Sequence, residues 1–493
     1  MKRCIWMVIG CLALTGAEAQ AQQAGTAHPA QPTVAELALV TESESASGPV
    51  NGAGSVLAEL ARIEVLDLRT AQQLALIGNP DLVAAQARVE QARMRVKQAV
   101  AAWWPTVDLS AVGARERLSD SVYELNQMQA AVVNGEAERT TDKFSVGIQA
   151  TWLLFDGFFR SFKEEQAGYD QASNAASLLN SRRLLVTAVA EAFYNAQLAQ
   201  TRVNIAQADK AFYLRQLEDA QNRYEVGAGA WGDVLNIKVQ LNSAQTSLLV
   251  NQREFEAAGY GLAALLGLSD ATFPETVRLQ PLDRNFVLQP FQEEIEPLIE
   301  QALVSRPDVE QLELVVKQAE AGTGLAKAPF YPKVQLNGAV NGARQGDIGL
   351  TDDDLGNTVS VNLAWNLFAG GGDKARLAEA RQLKRESRYS LFNLRNQVAS
   401  EIRKDIALLE AAEDQVRLQR ESVGLVEENR DLAKNEYEAG EASLVRLNEA
   451  QRDLTATYSR LAQALVGYHL AKQRLDGALG RNLAGFMLEE AEQ

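Results

Sequence analysis

Few side chains in the sequence have the types and spacing that catalysis or metal binding requires. The chain has two histidines, His28 and His469, which almost excludes a histidine-based metal site or a Ser-His-Asp triad. Gly370-Gly371-Gly372 is rich in glycine, but the Lys-Ser/Thr pair of a phosphate-binding loop does not follow it. We therefore predict a flexible strand-to-helix turn at these glycines, and no catalytic residue, no metal site and no cofactor.

Charge and composition limit the partners that the chain can have. The 493 residues carry a net charge of −16, and 46% of them are hydrophobic. Nucleic acids and anionic membrane surfaces both attract clustered Lys and Arg, so this balance argues against either as a ligand. The apolar fraction is high enough for a sizeable core and argues against global disorder.

The N-terminus has the composition of a secretory signal. Lys2 and Arg3 precede an apolar run from Ile5 to Leu14, and small residues follow. We expect a signal peptide over residues 1–21 and a flexible extension over residues 22–62, which are rich in Ala, Gln, Ser, Gly and Pro. Alternatively, the segment before Cys11 resembles a lipoprotein processing box, which would leave a lipid on that cysteine. No later segment has the ~20 uninterrupted apolar residues of a spanning helix, so any membrane crossing would require a closed β-barrel.

The rest of the chain is an internal duplication. Asn79-Pro80-Asp81 recurs as Arg306-Pro307-Asp308 at an offset of 227, and Trp152–Gly157 recurs as Trp365–Gly370 at an offset of 213. One length difference of 14 residues, between Pro105 and Trp152, accounts for the change. We predict a first repeat over residues 63–268, a proline-rich connector over 269–292, a second repeat over 293–481 and a tail over 482–493.

Each repeat reads as a helix, two strands and a long helical hairpin. A proline, Pro105 or Pro332, ends the first helix, and apolar residues then alternate with polar ones. The alternation predicts strands over about 106–116, 142–155, 333–343 and 357–368. A sheet half-buried on a soluble core is one interpretation. Strands of about ten residues with Trp152 and Trp365 at matching ends favour a membrane barrel instead.

The hairpins are predicted over residues 157–268 and 371–480. Their returning arms carry apolar residues seven apart, at Val234, Leu241, Leu248, Phe255 and Leu262 and at the matching positions from Leu447 to Leu475. A sustained seven-residue repeat predicts coiled-coil packing, and a purely structural coiled coil is the alternative interpretation. Four strands cannot close a barrel, because small barrels begin at about eight. Three protomers would supply twelve strands.

Several motifs recur in the same order in both repeats. They are the Trp104-Pro105 and Tyr331-Pro332 junctions, the Trp-x-Leu-Phe-x-Gly turns that end at Gly157 and Gly370, and the hairpin tips at Arg223–Gly227 and Glu436–Gly440, joined in the second repeat by Leu447–Leu454. Together they resemble the TolC family of outer-membrane efflux and secretion channels. The resemblance covers roughly Glu64 to Gly480.

The resemblance implies a mixed α/β membrane protein in the outer membrane that extends into the periplasm. Its fold would be a trimeric 12-strand β-barrel, with four strands per protomer, continued by a long antiparallel α-helical barrel. The implied function is a passive exit duct of a tripartite system. The implied partners are two further copies of the chain, a periplasmic adaptor (membrane fusion) protein, an inner-membrane pump or ABC transporter, and outer-membrane lipid.

The resemblance also assigns roles at the hairpin tips. The matching gate positions are Asp233, Tyr437, Arg446 and Glu449, and the family's gating arginine falls on Ala442. We hypothesise that Arg446 pairs with Asp233 instead. The tip residues expected to contact the adaptor are Tyr224, Val226, Gly227, Gly229, Ala439 and Gly440; the junction between barrel and helices is expected at Pro105, Pro332, Gly157 and Gly370.

The sequence leaves the cargo open. Type I protein secretion and efflux of small toxic compounds fit equally well, and metal efflux is less favoured because the chain has few Met and His residues. The acidic balance indicates a cation-preferring lumen, provided that the charge faces inward. A structural coiled-coil protein of the envelope without a pore is the alternative function. An envelope enzyme is disfavoured because almost every carboxylate lies on a heptad-patterned helix.

Overall fold

A computed structural model describes residues 51–132, 135–274, 276–346 and 351–486. The predicted signal peptide 1–21, Cys11, most of the predicted extension and the end of the predicted tail lie outside the described residues. Within the described ranges, no helix combines the length and the apolar character that a membrane-crossing helix needs.

The chain alternates short and very long elements. The helices are α1 Asn51–Leu60, α2 Leu68–Gly78, α3 Pro80–Ala101, α4 Asp120–Val132, α5 Phe159–Glu225, α6 Trp231–Leu265, α7 Ile295–Ser305, α8 Pro307–Leu325, α9 Gly372–Glu438 and α10 Leu444–Ala478. The strands are β1 Val65–Leu66, β2 Thr106–Arg117, β3 Thr140–Phe155, β4 Arg278–Leu279, β5 Lys333–Gln345 and β6 Leu355–Ala364.

The two hairpins are identical in length. Helices α5 and α9 have 67 residues each, and α6 and α10 have 35 each. At 1.5 Å per residue, each outgoing helix is roughly 100 Å long. The shorter α6 covers only part of α5, and α3 and α8 pack beside other parts of it. The long helices are therefore covered in succession by a returning arm and by a short helix.

The extra residues of the first repeat fold into a helix that the sequence analysis missed. Helix α4 fills 13 residues between β2 and β3, where only a longer loop was expected. No residue of α4 is buried. Its apolar residues therefore lack the one-sided burial pattern that makes a helix easy to recognise in a sequence.

The flexible extension predicted for residues 22–62 is wrong at its C-terminal end. Helix α1 buries Val56 and Leu60 completely, against Leu66 and Leu74. Val56 and Leu60 are four residues apart and so share one helix face. Strand β1 then pairs in parallel with β4 of the connector, with Val65 opposite Arg278.

The four longer strands form one antiparallel sheet in the order β2-β3-β5-β6. Strands β2 and β6 are the sheet edges and carry exposed apolar side chains, among them Leu109 at 73% exposure and Val359 at 74%. At the helical end of the sheet, the same hydrogen bond occurs in both repeats. Trp152 Nε1 donates to the Trp103 carbonyl at 2.9 Å, and Trp365 Nε1 donates to the Phe330 carbonyl at 3.2 Å.

Three apolar clusters stabilise the helices. One joins α1, α2, α5 and α6, and a second joins α7, α9 and α10 to the connector through Phe286, Leu288 and Phe291. The third lies near the tips and contains residues of both hairpins, including Ile237 and Leu447. The tips of the two hairpins are thus packed against each other within one chain.

Candidate functional site at the hairpin tips

Both hairpins reverse through the same turn. Gly227 and Gly440 have φ angles of +76° and +78°. In the first turn, Ala228 N–H donates to the Arg223 carbonyl at 2.8 Å, and in the second, Glu441 N–H donates to the Glu436 carbonyl at 2.8 Å. These are Schellman caps, in which a left-handed glycine lets the chain satisfy the last carbonyls of a helix.

Gly229 is the second glycine of the first turn. Its φ angle is not in the left-handed region. A Cβ atom at this position would lie 3.1 Å from Arg223 Cβ and 3.3 Å from the Arg223 carbonyl carbon. Gly229 is therefore favoured by the close approach of the returning chain to the end of α5.

The second hairpin presents Tyr437 to the first. Tyr437 is half-buried at the edge of the tip cluster, and the guanidinium of Arg223 lies 5.1 Å from the centre of its ring. This distance is within the range of a cation–π contact. Burial raises the pKa of the Tyr437 phenol; Arg223 lowers it, while Asp233 and Asp219 raise it. The structure thus brings Tyr437 and Asp233 into one electrostatic environment from different hairpins.

Within one chain, Arg446 does not form the hypothesised pair with Asp233. Arg446 Nε lies 3.0 Å from Glu436 Oε2, so the arginine bridges the two arms of its own hairpin. Its backbone N–H is held by the side chain of Ser443, which caps α10. The cap and the ion pair together keep Arg446 on the second hairpin.

The other two predicted positions at this tip make few contacts. Glu449 is exposed, and no Lys or Arg of the described residues lies within ion-pair distance of it. Ala442, at the family's arginine position, is half-buried and has no charge to contribute. Beside the apolar tip cluster, Arg223 contacts Tyr437 across the two hairpins, and Asp233 lies near enough to raise the pKa of Tyr437.

Apolar side chains are exposed at the first tip. Val226 is 79% exposed, and the rings of Tyr224 and Trp231 lie 5.1 Å apart although both are about half exposed. Trp231 was not predicted from the sequence, and Arg223 was predicted only as part of the tip motif, without a role of its own. The available signal for Trp231 was a large aromatic residue at the first position of a helix, directly after the turn.

The second tip presents a different surface. Ala439 and Gly440 are exposed, and the acidic side chains of Glu438 and Glu441 flank them. The two turns thus share a backbone conformation but differ in the side chains that they expose.

The predicted junction residues lie where the sheet meets the long helices. Gly157 has a φ of +71°, and a Cβ there would lie 2.5 Å from the Ala328 carbonyl oxygen. Gly370 has a φ of +61° with open space around it. Pro105 and Pro332 immediately precede β2 and β5.

Within the described part of the chain, no three His, Cys, Asp or Glu side chains are grouped closely enough to hold a metal ion. The tip residues provide charge, hydrogen bonds and apolar surface. This chemistry is suited to reversible protein–protein contacts.

Comparison with known proteins gives a consistent result. The family model described as outer membrane efflux protein matches residues 71–268 and 298–481. "Cation efflux system protein CusC" of Escherichia coli is 24% identical over 479 residues, which is 93% of this chain and 94% of that protein. "Probable efflux pump outer membrane protein TtgC" of Pseudomonas putida is 26% identical over 430 residues, covering 85% of this chain and 83% of that protein.

A relative of another kind is "Alkaline protease secretion protein AprF" of Pseudomonas aeruginosa, 25% identical over 343 residues, which is 66% of this chain and 70% of that protein. Among solved structures, the Campylobacter jejuni CmeC outer membrane channel has a TM-score of 0.73 at 18% identity, covering 86% of this chain and 89% of that one. The CmeC channel and this chain share the fold of a helical tube with a β-domain.

Proposed function

The chain belongs to the outer membrane efflux protein family, and we propose that it is the outer-membrane exit duct of a tripartite export system, extending into the periplasm and gated at its helical tips. The observation that carries the proposal is the duplication itself. In a single chain, each repeat leaves one edge strand and one face of a long helix without a neighbour. The contacts that join the two repeats within the chain indicate how a second copy would cover these surfaces.

The four-stranded sheet of a single chain has two edges that need a partner. Strands β2 and β6 are edges, and a sheet edge in lipid would leave backbone N–H and C=O groups without hydrogen bonds. Pairing β6 of one copy with β2 of the next removes both edges. Three copies would then close a barrel of twelve strands.

The short helices indicate how the helical parts of neighbouring copies meet. Within the chain, α8 packs on both α5 and α9, whereas α3 packs on α5. The α8–α5 contact places Gly324 beneath Phe162. At the repeat-equivalent positions, Lys97 of α3 would face Ala375 of α9 in a second copy. The large and small partners are exchanged, so the same separation between helices is maintained.

The same transfer of the α8–α5 contact to α3 and α9 predicts a charged pair between copies. Gly322 of α8 lies 3.7 Å from Gln166 of α5, measured from a Cβ built on the glycine. The equivalent positions are Arg95 and Glu379. Arg95 already pairs with Asp170 of α5 in its own chain, and we propose that Glu379 of the neighbouring copy joins this pair.

The long hairpins would meet in a corresponding way. Within the chain, Phe212 of α5 is buried in the tip cluster with Leu447 of α10. The equivalent of Phe212 is Leu425 of α9, which is 64% exposed in the single chain. Helix α6 of the next copy, with Val234 at the position of Leu447, would cover it. A homotrimer is the arrangement that satisfies both the sheet and the helices.

We propose that the gate is the contact among Arg223, Tyr437 and Asp233. These three residues connect the first hairpin to the second near the tip, and separating the hairpins would break the cation–π contact. Arg446 and Glu449 would then act on the surface of the second hairpin. An adaptor protein would dock on the exposed tips, where Tyr224, Val226 and Trp231 provide an apolar surface.

The driving energy would come from an inner-membrane pump or ABC transporter. The relatives are named for cation efflux, efflux pumps and protease secretion, which supports a general export role without selecting one cargo. The proposed duct itself performs no catalysis.

Conductance of the purified protein in planar bilayers tests the proposal. We expect small, steady openings from the wild type and a several-fold higher leak from Asp233→Lys, because the reversal replaces a carboxylate near Tyr437 with a second cation. Glu218→Lys is the matched control, since it makes the same change of charge at an exposed position of the first hairpin outside the predicted gate residues. Absence of conductance from a folded sample would favour the structural coiled-coil alternative. Equal leak in both variants would contradict the proposed gate.

The neighbour contacts are tested separately by cysteine pairs. Both native cysteines lie in the predicted signal peptide. Arg95→Cys with Glu379→Cys should give covalent trimers under mild oxidation, visible on a denaturing gel. Arg88→Cys with Glu379→Cys is the control, two helical turns away along α3. Cross-linking that is equal in both pairs, or absent from the first, would contradict the assigned interface.

A further inference from the structure

A polar cavity of about 340 Å³ lies between the two hairpins, about 15 residues from the tips along α5. Its walls come from four elements: α5, α9, α10 and the connector. Three arginines line it, Arg215 from α5, Arg284 from the connector and Arg430 from α9. Three cations on separate elements thus converge on one space.

The lining of the cavity holds three guanidinium groups and one carboxylate. Asp209 is the carboxylate in its lining, and its Oδ1 already accepts hydrogen bonds from Gln451 Nε2 at 2.9 Å and from the Thr455 hydroxyl at 3.0 Å. Among the described residues, no carboxylate oxygen lies within 4.0 Å of a nitrogen of Arg215 or Arg284. The lining therefore carries an excess of positive charge.

Two of the arginines are held in place by neighbouring side chains, and two carboxylates outside the lining, those of Asp431 and Glu427, contact Arg430 and the Tyr458 hydroxyl. Arg284 lies over the ring of Tyr458, 5.4 Å from its centre. Arg430 pairs through Nη1 with the adjacent Asp431 at 3.2 Å, but its Nε is buried and has no hydrogen-bond partner among the described residues. A buried donor without a protein partner is costly, so an acceptor that enters the cavity would stabilise it.

The duplicated fold does not require these arginines. The repeat-equivalent position of Arg215 is Glu428, and that of Arg430 is Leu217. The repeat-equivalent of Tyr458 is Gln245. Because the helices at both places have the same lengths and the same turns, the cluster of cations is an addition to the scaffold and occurs once per chain.

We propose that this cavity binds a tetrahedral oxyanion with two negative charges, such as inorganic phosphate or a phosphomonoester. Guanidinium groups match the oxygens of such an anion in geometry and donate charge-assisted hydrogen bonds. Arg430 Nε would gain the acceptor that it lacks. Arg215 and Arg284 would approach from the first hairpin and from the connector.

The bound anion would connect the first hairpin to the second. It would therefore oppose their separation and favour the closed form of the duct, a consequence that rests on the proposed function. Binding itself does not depend on that function, because it can be measured without any pore activity.

Titration calorimetry with inorganic phosphate on the full mature protein in detergent tests the site, with sodium chloride at equal ionic strength as the blank. We expect saturable binding at one site per chain in the wild type. Arg215→Gln and Arg430→Gln should each weaken it about tenfold or more, the effect of a lost hydrogen bond to a charged group. Arg253→Gln, an exposed arginine on α6 that pairs with Glu256, should bind phosphate like the wild type. A small phosphomonoester, glycerol phosphate, distinguishes a free from an esterified phosphate.

Absence of saturable phosphate binding, or equal weakening by Arg253→Gln, would overturn the proposal. Circular dichroism and elution volume identify any variant that fails to fold, and the second arginine variant then decides. Hydrogen exchange tests the link between hairpins: phosphate should slow exchange over 204–215 and 451–458 in the wild type and not in Arg430→Gln. If the protein binds phosphate but shows no conductance, the phosphate site stands and the proposed duct is rejected. If it conducts but does not bind phosphate, the duct stands and the phosphate site is rejected.

Discussion

The two repeats meet the same structural requirement with different chemistry. Each returning helix ends in carbonyl groups that have no partner within the helix. At the end of α6, Asn79 Nδ2 donates to the Leu265 carbonyl at 3.0 Å. At the equivalent end of α10, Arg306 Nη1 donates to the Ala478 carbonyl at 2.9 Å. An amide in one repeat and a guanidinium in the other satisfy the same backbone atom.

The Arg306 cap at the end of α10 involves more side chains than the Asn79 cap at the end of α6. Arg306 also pairs with Asp308 and Glu401, each at 2.7 Å, and Arg183 donates to the neighbouring Gly477 carbonyl at 2.7 Å. Cations are favoured beside the negative end of a helix dipole. The comparison teaches that the fold determines which backbone groups need a partner but not which side chain provides it. A charged cap also makes its neighbours depend on one another.

Removing the two caps should therefore have unequal effects, and this is the largest difference that we predict. Arg306→Ala leaves the partly buried Asp308 with only its longer pair to Arg183, at 3.6 Å, and should cost about 3–5 kcal/mol. Asn79→Ala loses a neutral hydrogen bond and the cap of α3, and should cost about 1–2 kcal/mol. Thermal unfolding followed by circular dichroism measures both. Arg403→Ala, which removes an exposed pair with Glu296, is the control and should cost under about 1 kcal/mol. Equal losses at the two caps would contradict the comparison.

Substitutions of the two junction glycines should also differ in their cost to stability. Gly157→Ala combines a left-handed φ with a clash against the Ala328 carbonyl and should cost about 3 kcal/mol. Gly370→Ala meets open space and should cost about 1 kcal/mol for the left-handed backbone alone. The midpoint of thermal unfolding reports the difference. A loss at Gly370 as large as that at Gly157 would mean that a neighbour in the assembly fills the space.

Patterns within one chain predicted much of the architecture. Hydrophobic period and duplicated glycines placed the long helices and their turns, because helix length and reversal depend on local sequence. Helix α4 was missed because it buries nothing. Helix α1 was missed because its stability depends on contacts with Leu66 and Leu74, which are separate in sequence.

Side-chain partners could be predicted less well than backbone positions. The sequence placed Asp233 and Tyr437 near the tips, but it paired Arg446 across hairpins, whereas the structure pairs it with Glu436. Ion-pair choice depends on rotamers and on distances of a few ångströms, which periodicity does not specify. The buried contact of Arg183 with the end of α10 was missed for the same reason.

At the turns of the hairpin tips, the same substitution should have the same effect on stability in both repeats. Gly227 and Gly440 have nearly the same φ, and neither would meet an atom within 4 Å if a Cβ were added. Alanine at either position should cost about 1 kcal/mol. The difference between the two variants, measured by thermal unfolding, should be too small to resolve. A clear difference would show that one tip is constrained by contacts beyond its own turn.

The last contrast is a buried acid that one repeat has and the other lacks. Asp405 of α9 is 8% exposed, and the equivalent residue of α5 is Ala192. Burial raises the pKa of the Asp405 carboxyl, and Glu401 raises it further, although Lys404 and two arginines act in the opposite direction. The ionised form is therefore less stable in the folded protein than in the unfolded chain.

The sign of the pH dependence follows from this shift. Because the pKa of Asp405 is higher in the folded state, ionisation destabilises the fold above that pKa, and the penalty disappears below the unfolded value of about 3.9. Asp405→Asn should then raise stability by up to about 1 kcal/mol near pH 8 and leave it unchanged near pH 3.5. Thermal midpoints of wild type and variant across this range test the expectation. A variant that is less stable than the wild type at pH 8 would show that the carboxylate is stabilised by Lys404 and Arg474, and that the second repeat uses a charge where the first uses an alanine.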